Sequence, residues 1–123
     1  MQTRSIGTTS GRKLTEREQT IQIKLLSMKR KQFNIYVRKI LKEFSISREL
    51  LFTNTKEREV VDARQMLYWT CLADGEFKIG TIVRMMRENG YDIGHSTIIH
   101  GITRMNNTED RYYIKLQQKI CSV

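Results

Sequence analysis

The stretch Lys78–Met105, KIGTIVRMMRENGYDIGHSTIIHGITRM, decides the fold. Ile79, Ile82, Val83 and Met86 recur at the three- and four-residue spacing of one helical face, which predicts a helix from about Lys78 to Glu88. Asn89-Gly90 is a helix stop, and Tyr91 to Gly94 makes a short connection. A second periodic segment, about His95 to Met105, puts Ile98, Ile102 and Met105 at i, i+4 and i+7, facing a core. Two consecutive helices joined by a glycine-containing turn have the geometry of a helix-turn-helix. In that unit the second helix enters the major groove and presents its N-terminal residues to base edges. Here the second helix opens on His95, Ser96 and Thr97, whose side chains can hydrogen-bond bases or phosphates. Backbone N–H groups at a helix start suit phosphate as well. Ser96, His100 and Thr103 share one face by spacing. Polar residues at a helix start also serve as plain caps, and the spacing alone does not separate the two roles.

Outward from this stretch the chain reads as helix nearly throughout. Met1 to Lys13 is polar, with two glycines and three basic residues, and is expected to be a disordered basic arm. Thr15 followed by Glu18 fits a capping box. Ile21, Leu25 and Met28 then recur at near-helical spacing, and a further helix is expected from Phe33 to Phe44 with Ile35, Val37, Ile40, Leu41 and Phe44 as its apolar stripe. Whether 15–44 is one helix or two stays open. The stripe is expected to pack within the chain, although the helix could instead bind a protein partner or a second copy. Ser45 or Ser47 can cap a short helix ending at Leu50-Leu51. Phe52 to Glu59 is a polar loop, and Asp62 with Gln65 is expected to cap the next helix, which points Ala63, Met66, Leu67, Thr70 and Cys71 inward and stops at Asp74-Gly75. A last helix is expected over about 109–120 with Tyr113, Leu116 and Ile120 inward. The expected fold is all-α, with five or six helices in one domain over 14–123. Within it, an N-terminal helix (14–32) precedes the core (33–120).

Composition agrees with helix: the 123 residues include no proline, and 39% are apolar, enough for a modest core. The net charge of +9 implies attraction to a polyanion, most often nucleic acid. Residues 1–59 carry 14 basic and 6 acidic side chains, whereas residues 60–123 carry 8 and 7. The first half is therefore expected to grip phosphate through Lys24, Lys29 to Lys31, Lys39 and Lys42, while the second half reads bases. Arg84, Arg87 and Arg104 are additional phosphate candidates. Cys71 and Cys121 form no C-x-x-C pair, and no apolar run opens the chain, so the expectation is a cytoplasmic, nucleoid-associated protein with free thiols and no membrane segment.

Two motifs together resemble a known family. Lys56-Glu57-Arg58-Glu59-Val60-Val61-Asp62-Ala63-Arg64-Gln65-Met66, followed thirty residues on by His95-Ser96-Thr97-Ile98-Ile99-His100-Gly101-Ile102, is similar to the C-terminal DNA-binding domain of the bacterial replication initiator DnaA. That family shows a basic loop, an A-R-Q or P-R-Q helix and an R-D-H-[ST]-T-V-[IL]-H-A signature. The resemblance covers roughly residues 33–120 and implies a Trp-repressor-like helix-turn-helix. It implies that Lys56 and Arg58 enter the minor groove or hold phosphates, that Arg64 and Gln65 grip the backbone, and that His95, Ser96 and Thr97 meet bases and phosphates in the major groove. His100 matches the second histidine of the motif. Gly94 stands where the family has a base-reading aspartate, and Ile93 where it has an arginine. Glu57 and Glu59 interrupt the basic loop.

Other chemistries find little support. His95 and His100 are five apart, roughly 140° around a helix of about 100° per residue, and no cysteine or acid completes a metal set. No nucleophile or carboxylate pair is coupled by spacing to either histidine, and Asp62, Asp74 and Asp92 read as caps and turn residues. No G-x-x-x-x-G-K-[ST] loop is present, so no nucleotide cofactor is expected. Of Tyr68, Trp69 and Tyr91, which could stack on bases, the adjacent Tyr68 and Trp69 face different sides of a helix, and at least one belongs in the core. The expected function is non-enzymatic binding of double-stranded DNA, as a phage or plasmid replication accessory or a transcription regulator. The alternative is a protein-interaction or virion-associated structural module that keeps the fold.

Overall fold

Nothing between Glu16 and Phe44 interrupts a helix: the segment has no glycine and no proline. In the computed structural model, which describes residues 14–121, it forms a single helix, α1 (Glu16–Phe44). The boundary expected between residues 32 and 33 therefore falls inside α1. The arm read over residues 1–13 lies outside the described residues. The capping box forms as expected: Thr15 Oγ1 accepts from the Glu18 N–H at 3.1 Å, and the Glu18 carboxylate accepts from the Thr15 N–H at 3.0 Å. Ser45, in the left-handed region at φ 54°, ends the helix. Ser47 caps the short α2 (Arg48–Leu51) through Oγ, which accepts from the Leu50 N–H at 3.1 Å.

The remaining helices are α3 (Arg58–Ala73), α4 (Ile79–Glu88), α5 (His95–Asn106) and α6 (Arg111–Cys121). All six helices among the described residues are α-helical, and none is long and apolar enough to cross a membrane. α3 starts four residues before Asp62, so Asp62 is no cap. It is buried inside the helix, where its carboxylate accepts from Arg104 Nη1 and the Tyr113 hydroxyl, each at 2.5 Å. One carboxylate thus joins α3 to α5 and α6. Burial and this donation to a carboxylate push ionisation of the Tyr113 hydroxyl well up.

α3 is the centre of the core. Ala63, Met66, Leu67 and Cys71 are fully buried on it, packed against Phe33, Tyr36, Val37 and Ile40 of α1 and against Ile98, Ile102 and Met105 of α5. Cys71 is a core thiol whose ionisation burial pushes up, and Tyr68 is buried beside it. Trp69 lies at the edge of the core and donates Nε1–H to Asn106 Oδ1 at 2.9 Å. Where α3 and α5 approach, the residue is Gly101: a Cβ there would stand 2.9 Å from Gln65 Cγ and 3.1 Å from the Tyr68 ring. Glycine costs the helix about 1 kcal/mol against alanine, and the close approach is what that cost allows.

The first half of α1 departs from expectation. Most of its apolar residues do not pack within the chain: Ile21 is 50% exposed, Leu25 53% and Met28 64%, and only Leu26 reaches the core. The fully buried stripe begins at Phe33, since the start of α4 flanks the turns before it on one side without covering them. Gly101→Val is expected to destabilise the fold by about 2–3 kcal/mol through overpacking. Urea unfolding measures this, and a variant as stable as the parent would show that α3 and α5 have room to spare.

Candidate nucleic-acid interface

α5 starts without a side-chain cap. Gly94 is its N-cap residue, with ordinary extended backbone at φ −94° and open space around its Cα. The N–H groups of the first turn therefore face outward without a side-chain acceptor. His95, Ser96 and Thr97 are exposed, and so are Ile99, His100 and Thr103, whereas Ile98, Gly101, Ile102 and Met105 are buried. The helix thus has a locked inner face and an outer face that carries two histidines, a serine, two threonines and one isoleucine. Among the described residues, the polar side chains of this outer face make no hydrogen bond or ion pair within the chain. The open capping question is settled for Ser96 and Thr97: neither side chain caps α5.

Ile99 was missed by the sequence reading. It is 51% exposed, in the middle of the polar face between Ser96 and His100. Its own spacing was the available signal, since Ile98 and Ile102 take the inward positions and leave Ile99 pointing out.

The His95 ring reaches back to the first turn of α4, where its Nε2 is 3.7 Å from the Cβ position of Gly80. Gly80, Arg84 and Arg87 follow one face of α4 at i, i+4 and i+7, so both arginines lie on the stripe that begins beside His95. Each is exposed and holds a surface ion pair, Arg84 to Glu88 at 3.6 Å and Arg87 to Asp92 at 3.1 Å. Such pairs contribute roughly 0–1 kcal/mol and exchange readily.

Lys56 is exposed in the loop before α3, and Arg58 is the first residue of that helix. The Arg58 side chain is 78% exposed, 3.8 Å from the Asp62 carboxylate. A cleft between Asn54 on this loop and Tyr91, Asp92 and Thr97 brings the loop and the start of α5 to one side of the molecule.

Arg64 occupies a different place from the one the resemblance implies. It is 5% exposed, too deep to reach a backbone phosphate. Its Nε–H donates to the Leu51 carbonyl at 2.9 Å, and Nη2 donates to the Thr53 and Thr55 carbonyls at 2.7 and 3.0 Å. Nη1 donates to the Tyr91 hydroxyl at 3.0 Å, with the guanidinium carbon 4.7 Å from the ring centroid. Arg64 therefore holds the Lys56 loop against the connection between α4 and α5.

Gln65 and Arg104 are likewise committed inward. Arg104 Nη1 donates to Gln65 Oε1 at 2.5 Å as well as to Asp62, which takes Arg104 out of the set of ready phosphate ligands. Three cations expected to capture DNA on α1 are also engaged. Lys29 donates to the Gly75 carbonyl at 2.9 Å, Arg30 makes a two-point contact with Glu88, and Lys39 donates to the Ile120 carbonyl at 2.9 Å. Lys24, Lys31 and Lys42 are exposed. Among the described residues no cluster of three or more His, Cys, Asp or Glu could hold a metal ion.

No protein-family model, no characterised protein and no solved structure matches this chain.

Replacing Arg64 with alanine removes its donors from the Leu51, Thr53 and Thr55 carbonyls, of which Thr53 O keeps the Thr55 N–H at 2.8 Å, and is expected to cost about 3 kcal/mol. Arg64→Lys is expected to recover less than half of that, because an ammonium cannot span the same fork. Trypsin should then cut faster after Lys56 and Arg58. Unchanged cleavage in both variants would mean that the loop is held by something else.

Proposed function

We propose that this protein binds duplex DNA without catalysis, using α4, the 89–94 connection and α5 as a helix-turn-helix. The observation that supports this reading most is the outer face of α5, which is exposed and makes no side-chain hydrogen bond or ion pair among the described residues, while its inner face is fixed by Gly101 and the Asp62–Arg104 pair. A helix held rigidly on one side and chemically unspent on the other suits insertion into a major groove. His95 and Ser96 offer donors and acceptors to base edges. Thr97 and the uncapped first-turn N–H groups suit a phosphate. Ile99 offers the apolar contact that a thymine methyl group takes. Lys56, Arg58, Arg84 and Arg87 supply phosphate contacts around it, and the +9 charge supplies long-range attraction.

The resemblance to the DnaA DNA-binding domain points to replication or transcription control on a phage or plasmid, in a reducing cytoplasm. Gly94 in place of aspartate argues for a site other than that family's own. The alternative, a protein-interaction module, draws on one observation, the exposed apolar residues of α1.

Titration of labelled duplexes selected from a random pool tests the reading. Expected is a preferred sequence whose advantage survives a rise in salt while nonspecific duplexes weaken together. Absence of duplex binding at low salt sinks the proposal. His95→Ala with Ser96→Ala is expected to flatten the preference by about tenfold or more while leaving residual nonspecific affinity. Gly94→Asp fits the open space, stabilises the helix start by a few tenths of a kcal/mol, and is expected to change the preferred sequence. If it leaves the selected sequence identical, the start of α5 does not touch bases.

A further inference from the structure

The first half of α1 extends past the rest of the fold. From Glu16 to Met28 every residue except Glu18 and Leu26 is exposed, over about 20 Å at 1.5 Å per residue. An isolated helix of that length is marginal in water, and here it also exposes Ile21, Ile23, Leu25 and Met28. Between this half of α1 and the start of α4 runs a groove of about 610 Å³. Ile23, Leu25 and Leu26 form its apolar floor on α1, and Glu76, Lys78 and Arg84 stand along the opposite wall. Gln19 to Lys29, which line it, span about 15 Å, or roughly three helical turns.

We propose that this groove docks an acidic amphipathic helix of a partner protein. The shape favours a helix: the apolar residues lie in an open groove between α1 and the start of α4, which suits a helix laid lengthwise better than a flat bilayer. The charge selects its sign. Lys29, Lys78 and Arg84 outnumber Glu76 around the groove, and the balance stays positive with Arg84 paired to Glu88 at 3.6 Å. A second copy of this chain fits poorly for the same reason, since the first half of its own α1, to Lys31, would bring Arg17, Lys24, Lys29, Arg30 and Lys31 against them, with Glu16 and Glu18 to offset them. Residues 1–13 contain only Ile6 and Met1 as large apolar side chains, too few to cover the floor. The inference shares Arg84 with the DNA-binding reading but rests otherwise on different residues, and a peptide titration without DNA lets either reading fail without the other.

The test uses the full chain and two labelled synthetic helical peptides with the same leucine heptad, one with glutamate and the other with lysine at all flanking positions. Fluorescence anisotropy should show binding of the acidic peptide, at least about tenfold tighter than the basic one and weaker as salt rises. Ile23→Ser with Leu25→Ser changes two exposed side chains, so helicity by circular dichroism should hold while acidic-peptide affinity falls about tenfold. Lys78→Glu should weaken the acidic peptide about threefold and Glu76→Lys should strengthen it by a similar factor. Equal binding of both peptides, or no binding of either, overturns the proposal. So does a dimer in sedimentation that the Ile23→Ser, Leu25→Ser variant dissolves, which would make a second copy the occupant. Capture by vesicles containing phosphatidylserine, with no peptide binding, overturns it in favour of a membrane surface.

Discussion

The guanidinium of Arg64 is the constraint on which the arrangement of the candidate interface depends. A buried cation is tolerated only where its donors are met, and Arg64 meets four oxygens from two segments that share no regular hydrogen bonding with each other. Three are carbonyls at the end of α2 and in the loop after it. This loop lacks a helix's ladder, and although the Thr53 carbonyl also accepts from the Thr55 N–H at 2.8 Å, Arg64 supplies a donor to all three oxygens. The fourth is the Tyr91 hydroxyl, in the connection between α4 and α5. The geometry works because arginine is a planar fork whose N–H groups point in different directions at once. Through this single side chain, the position of Lys56 relative to Thr97 becomes a property of the core rather than of a mobile loop.

Asp62 does comparable work two residues earlier on the same helix. Arg104 and Tyr113 converge on its carboxylate, so the outer face of α5 is oriented by a charge buried beneath it. Removing one partner of such a group is far more costly than the net worth of the contact, because the other is left unpaired in a low-dielectric surround. The two acidic and basic residues on α3 thus fix α5 and the loop from below. That leaves the polar residues facing outward on α5 with no structural duty.

Much of this architecture was legible in the residues. Periodicity placed α4 and α5 to within a residue, and Thr15, one of Ser45 and Ser47, Asp74 and Asn89-Gly90 marked helix ends from α1 to α4 because each acts through its own backbone neighbours. What failed were inferences needing a distant partner. Asp62 has the composition of a cap, and only α5 and α6 make it a buried acceptor. Arg64 carried a readable warning, since Val60, Arg64, Leu67 and Cys71 fall at i, i+4, i+7 and i+11 and so share the inward stripe. A charge on such a stripe is either snorkelling or met by oxygens, and the chain far from it decides which. The apolar residues of α1 misled for a related reason: the spacing of Ile21, Leu25 and Met28 shows that a face exists, not that anything in the same chain is long enough to cover it.

These placements also bear on how the proposed DNA contact divides between grip and reading. With Lys29, Arg30, Lys39, Arg64 and Arg104 engaged internally, fewer cations are available to phosphate than +9 suggests. Two that remain near α5, Arg84 and Arg87, are held in weak pairs with Glu88 and Asp92, and a phosphate must compete with a carboxylate for each. Under the proposed function the electrostatic share of binding is correspondingly modest, and the contacts made by the start of α5 weigh more in the total. A protein with a large surplus of free cations can bind even with a poor base-reading face. This one lacks that surplus beside α5, so under the proposed function its affinity and its sequence preference both rest on the few side chains from His95 to Thr103.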